Sequence, residues 1–86
     1  MYRLFLARPA QRFFEHADAG LQRRLDRCFA QLRLDPRALP SIRALKGRYA
    51  GCLRHRIGDY RVVYRVNDTE REVIVEVIAH RREAYD

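Results

Sequence analysis

Apolar residues recur along this chain with two different periods. Leu21, Leu25, Cys28, Phe29 and Leu32 fall on one face of a helix, and Arg23, Arg24, Arg27 and Gln31 fall on the other. Asp18 stands where an N-cap belongs, and Pro36 closes the segment. Upstream, RPAQRFFEHAD reads as a shorter helix entered through Pro9, with Phe13 and Phe14 on its apolar side. So few residues separate the two that an antiparallel helical hairpin over residues around 9–34 is the natural arrangement.

The remaining segments alternate with period two, the signature of half-buried strands. YRLFLA, from Tyr2 to Ala7, predicts a first strand. CLRHRI, YRVVYRV and EVIVEVIAHR predict three more, joined by turns at Gly58-Asp59 and at Asn67-Asp68-Thr69-Glu70. Between the helices and these strands, RALPSIRALKGRYAG reads as a loop with a helical turn at Ser41 to Leu45. The order is β-α-α-β-β-β. It predicts one α+β domain over residues 1–86, a three- or four-stranded and mainly antiparallel sheet with the helical hairpin on one face.

Alternation then sorts the side chains. Leu53, His55 and Ile57 share the face of Tyr60, Val62, Tyr64 and Val66, and this apolar set belongs against the helices. Arg54 and Arg56 share the opposite face with Arg61 and Arg65. Between Lys46 and Arg65 stand six basic residues against one acid, Asp59. Like charges at cross-strand positions repel, so such a cluster suits a bound polyanion, and phosphate in particular.

Charge strengthens this picture. The formal net charge is +7, carried by seventeen arginines and the single Lys46. That points to nucleic acid or an acidic protein, and the planar guanidinium fork suits phosphate oxygens. Cys28 and Cys52 form no C-x-x-C pair and no metal-ligand spacing with histidine. Cys28 reads as core and Cys52 as a strand residue. No signal peptide and no long apolar run stands in the chain, which predicts a cytoplasmic protein with reduced thiols and no membrane partner. His55 falls on the apolar side and reads as a satisfied core histidine. Tyr60 and Tyr64 read as packing residues, and Glu76 needs a partner or an exposed edge.

LKGRYAGCLRHRIGDYRVVYRV, Leu45 to Val66, followed by VIAHRREAY, Val77 to Tyr85, resembles the RelE/ParE superfamily of bacterial toxins from type II toxin–antitoxin pairs. The second half of the chain carries the likeness closely; the first half matches in element order and length. The G-D-Y-R and H-R elements favour the RelE branch, whose members cut mRNA in the ribosomal A site. The ParE branch instead poisons DNA gyrase.

The resemblance implies a metal-independent and cofactor-free endoribonuclease. The 2′-hydroxyl attacks the adjacent phosphate, leaving a cyclic phosphate and a free 5′-hydroxyl. Such chemistry needs cations around the phosphorane, a base and an acid. Carried over, Arg54 and Arg56 bind phosphate, with Lys46 and Arg65 as further RNA contacts. Arg61 stabilises the transition state, and Arg81 does likewise or serves the leaving group. Tyr85 stacks on a base or orients the nucleophile. Relatives place a lysine where this chain has Cys52, and Arg54 replaces the next one. Arginine stays protonated, which leaves His80 as the substitute base. The resemblance also implies an antitoxin, with an extended acidic or amphipathic segment lying over the helices and the basic face, in a possible hetero-oligomer. Two other functions stay open: a gyrase inhibitor that cuts nothing, and an inactive toxin that still binds its antitoxin.

Overall fold

The computed structural model describes residues 1–80. Two helices pack on one face of a five-stranded mixed sheet. In chain order the elements are β1 (Arg3–Leu6), α1 (Arg8–His16), α2 (Ala19–Leu34), β2 (Arg43–Ala44), a 3₁₀ turn (Gly47–Tyr49), β3 (Leu53–Ile57), β4 (Tyr60–Asn67) and β5 (Glu72–His80). Across the sheet the strands run β1-β5-β4-β3-β2. β1 lies parallel to β5, and every other pair is antiparallel.

Local chemistry sets the boundaries. Pro9 sits in the first turn of α1, where its missing N–H costs nothing. The Asp18 carboxylate accepts the Leu21 N–H at 2.8 Å and caps α2, a contact worth ~1 kcal/mol. Gln22 donates to the Phe14 carbonyl at 2.7 Å, which ties the two helices across their short link. α2 stops at Asp35, held extended at φ −157° and ψ 104° because Pro36 follows it. Gly58 has φ +57° at the first centre of the β3–β4 turn. A glycine there is what a type II′ hairpin turn requires.

The main core lies between helices and sheet. Ala10, Leu21, Leu25, Phe29 and Leu32 meet Val62, Tyr64, Val73, Val75 and Ile78. Leu25 and Leu32 are fully buried, each contributing about 1.5–3 kcal/mol by transfer from water. The Tyr64 hydroxyl donates to the Pro36 carbonyl, so this buried ring keeps its polar tip satisfied. Burial raises its pKa further above the ordinary tyrosine range.

Two expectations need correction. The helical turn predicted at Ser41 to Leu45 is absent; Arg43 and Ala44 pair with Arg54 and Leu53 as a fifth strand, and the turn comes later, at Gly47–Tyr49. Ser41 takes φ +62°, which is incompatible with a helix at that point. The open sheet face also holds a second small core, where Leu45, Cys52 and Val63 pack with Tyr49 and Val77.

Candidate nucleic-acid interface

Strand alternation builds the site. Leu53, Ile57, Tyr60, Val62, Tyr64 and Val66 pack toward the helices, so Arg54, Arg56, Arg61 and Arg65 stand on the open face. The register brings some of them together. Arg56 lies directly opposite Arg61, and Arg43 directly opposite Arg54. Opposed residues have their Cβ atoms about 5 Å apart. Four guanidinium groups therefore gather at the β2–β3–β4 end of the sheet. Nothing in the sequence marks Arg43, because its segment reads as loop and a two-residue strand has no periodicity.

Exposure divides the four. Arg43 and Arg56 are exposed and Arg61 is half-buried, whereas Arg54 is only 2% exposed. The wet arginine face expected from alternation is thus closed over Arg54. An anion meets Arg43, Arg56 and Arg61 first, with the Arg54 charge beneath them. Lys46 is exposed at the head of the 3₁₀ turn, beside Leu45 of the open-face core.

Arg65 belongs to a different neighbourhood. A bulge at Val63/Tyr64 shifts the β4–β5 register, and the Arg65 Nε donates to the Glu76 carboxylate at 3.1 Å. Glu76 thereby gains the partner it needed. Nearby, Arg3 pairs with Glu72 at 2.8 Å.

The histidine predicted as base falls on the wrong side. The bulge at Val63/Tyr64 flips the facing of β5: Val73 and Val75 face the helices, Val77 faces the open side, and Ile78 faces the helices again, so His80 sits opposite Tyr60. Its ring meets the Tyr60 ring edge-on at 5.4 Å, and Tyr60 meets Phe13 of α1 at 5.7 Å. His80 therefore faces the helix layer, across the sheet from Arg61. His55 also faces that layer and is buried; its Nδ1–H donates to the Pro40 carbonyl at 2.9 Å. Burial lowers its pKa, the Pro40 bond raises it in part, and the Arg54 charge lowers it again. Cys52 is 1% exposed, and burial pushes its thiol upward against the smaller pull of Arg65. It stays a neutral thiol, without the charge that a lysine would bring there. Arg81 and Tyr85 lie outside the described residues.

Among the described residues, no cluster of three or more metal-ligating side chains forms, and no helix is long and apolar enough to cross a membrane. The arginine end offers fixed positive charge suited to a phosphodiester, and no histidine of the described residues shares its face.

Residues 4–85 match the family model of the ParE toxin of the type II toxin–antitoxin system, parDE. The chain belongs to this toxin family. Similar folds occur in solved structures. One is the archaeal RelE–RelB complex from Pyrococcus horikoshii, at 24% identity and TM-score 0.81, covering 96% of this chain and 98% of that one. Another is the YoeB/ParE toxin from Agrobacterium tumefaciens, at 23% identity and TM-score 0.79, covering 91% and 96%. A third is the isolated E. coli RelE toxin, at 21% identity and TM-score 0.77, covering 93% and 84%. None of the curated proteins matches by sequence. At these identities the solved structures establish the shared toxin fold, two helices on a mixed sheet, and leave the chemistry to be argued from the residues themselves.

Proposed function

We propose that this toxin cuts mRNA on the ribosome by 2′-hydroxyl attack on the adjacent phosphate, without a metal. The observation that carries the reading is the meeting of Arg43, Arg54, Arg56 and Arg61 at one end of the open sheet face. Phosphoryl transfer places extra negative charge on the phosphorane, and fixed cations lower that barrier most when they need no reorganisation. Arg61 faces the scissile phosphate in this mechanism. Arg56 and Arg43 hold the flanking backbone, Arg54 supplies field from below, and Lys46 and Arg65 extend the track. Arg81 and Tyr85 complete the site, as donor to the leaving oxygen and as base-stacking ring. His80 would act as base only if β5 opened at its end, because its ring packs on Tyr60.

The partner is a cognate antitoxin. Several similar folds were solved as toxin–antitoxin complexes, the Pyrococcus horikoshii pair among them, and a chain of net charge +7 suits an acidic or amphipathic cover.

Two observations favour a second reading, a gyrase inhibitor without nuclease activity: the family model is that of ParE, and the histidines lie off the arginine face. Purified toxin added to translating ribosomes, with mapping of mRNA 5′ ends, tests the first reading. New ends bearing a 5′-hydroxyl, opposite fragments with a cyclic phosphate, are expected. Intact mRNA together with blocked gyrase supercoiling would transfer the assignment to the second.

A further inference from the structure

Arg43 reaches the arginine end on a short lever. β2 is two residues long and sets Arg43 opposite Arg54 and Ala44 opposite Leu53. Like charges directly opposite destabilise a pair, so these two pairings do not hold β2 in place by themselves. The restraint lies on either side. After β2, the Leu45 N–H donates to the Cys52 carbonyl at 3.0 Å, and the Leu45 side chain is buried in the open-face core. Before it, the His55 Nδ1–H donates to the Pro40 carbonyl at 2.9 Å. The next residue, Ser41, turns at φ +62°, a conformation that a residue other than glycine keeps only where its neighbours fix it. The direction of the Pro40 peptide therefore decides whether the chain enters β2 in register.

His55 is a costly residue to charge. It is buried on β3, with Val62 opposite it on β4. Arg54 and Arg56 flank it in the chain, and the groove beside it is lined by Arg24, Arg27 and Cys28 of α2. Burial holds Cys28 as a neutral thiol, its pKa pushed up to about 12. Among the described residues, every charged group that lines this groove or flanks the ring is an arginine. An imidazolium there gains no carboxylate and meets cations, whereas a ring swung out to water charges freely. Burial accordingly lowers the His55 pKa, the Pro40 bond raises it in part, and Arg54 lowers it again.

We infer that His55 is a positioning residue: its bond to Pro40 seats Arg43 beside Arg54 and Arg56, and acid unlatches that seat. The seat is closed above about pH 6.5, the ordinary histidine value, and opens as pH falls through the lower value of the folded ring. β2 gives way first, because only two of its residues are paired, while the core around Val62, Val73 and Val75 stays packed. Local opening of this kind draws on the least stable part of a fold. In acid the toxin then loses one cation of its arginine end without unfolding. That Arg43 serves cleavage rests on the nuclease reading; the seat itself does not.

Hydrogen exchange of the Leu45 amide in the full chain, expressed as protection, reads the seat. Single-turnover cleavage of ribosome-bound mRNA reads its use. In the wild type, Leu45 protection should fall about threefold or more between about pH 7.5 and 5.5, and Val75 protection by a smaller factor. His55→Asn keeps an amide donor near the Nδ1 position and does not titrate, so it should hold Leu45 protection level across this range. His55→Leu keeps the bulk, removes the donor, and should lower Leu45 protection about tenfold at neutral pH. Cleavage by His55→Leu should slow about fivefold or more, but by less than about twofold when Arg43 is already alanine. A merely structural His55 would slow both backgrounds alike. That result, or Leu45 protection indifferent to pH and to His55→Leu, would overturn the inference. If His55→Leu fails to fold, the pH series of wild type and His55→Asn decide alone. Absent cleavage in the wild type, with Leu45 protection still falling in acid, would count against the nuclease reading and support the seat.

Discussion

Arg61 and Arg65 stand four residues apart on one strand and one face, yet their cross-strand neighbours differ. Arg65 is met by Glu76, and in the same half of the face Arg3 is met by Glu72. Arg61 is flanked by Arg56 on β3 and by Ala79 on β5. The bulge explains part of the difference, since it shifts β5 against β4 just where Glu76 must meet Arg65. Exposed ion pairs such as these contribute only ~0–1 kcal/mol to stability. Their larger effect is on the field. Acids meet Arg65 and Arg3 in one half of the open face, and the register gathers Arg43, Arg54, Arg56 and Arg61 in the other, a clustering of like charge by which a surface steers a polyanion to one place.

The largest expected effect comes from breaking the arginine end. Arg61→Ala should relieve growth arrest, with a loss of about a hundredfold or more in cleavage rate, while the protein still melts near the wild-type temperature and binds its antitoxin. Arg81→Ala should do the same. Tyr85→Phe should do less if its ring stacks, and nearly as much if its hydroxyl moves a proton. Growth curves beside melting curves for each variant separate lost chemistry from lost fold.

The helix side gives the next contrast, because its polar groups serve stability. Tyr64→Phe removes the donor to the buried Pro36 carbonyl, and leaving that acceptor unsatisfied should cost about 1–3 kcal/mol in denaturant unfolding, with toxicity per folded molecule unchanged.

Acid should act through His55. Its folded pKa lies below the ordinary 6.5, so protonation favours the unfolded chain. Stability is full above about pH 6.5 and is lost as pH falls through the lowered folded value. Asp68 shifts downward too, held by Arg37 and Tyr2, so its contribution is lost only at more acidic pH. Chemical denaturation across pH 5–7 should therefore show a slope that His55→Gln flattens.

The smallest effect is also the one that most sharpens the comparison. Glu76→Gln releases Arg65 and extends the positive end along β4. RNA affinity should rise modestly, and the log–log salt slope should steepen by about one, with stability changed by less than ~1 kcal/mol.

Much of this architecture was legible because periodicity is a direct consequence of burial. The α2 face and the two faces of β3 and β4 follow from residue spacing alone, and the capping role of Asp18 and the turn role of Gly58 follow from their chemistry. What escaped detection depends on distant parts of the chain. Arg43 joins the cluster only because two residues of a loop pair with β3. Arg54 is buried although alternation correctly assigns its face, since exposure depends on what covers a face. His80 is placed by the bulge, which spacing does not reveal: Val73 and Val75 face the helices, Val77 the open side, and Ile78 and His80 the helices again, away from the arginines. Arg81 and Tyr85 remain assigned by resemblance and lie outside the described residues.

The most direct test of the arginine end as the working site is single-turnover cleavage of ribosome-bound mRNA by Arg61→Ala and Arg65→Ala side by side. Arg61→Ala should slow by about a hundredfold or more, and Arg65→Ala, whose charge is already met by Glu76, should stay within a few-fold of wild type. Equal losses in the two, or full activity in a folded Arg61→Ala protein, would contradict the account.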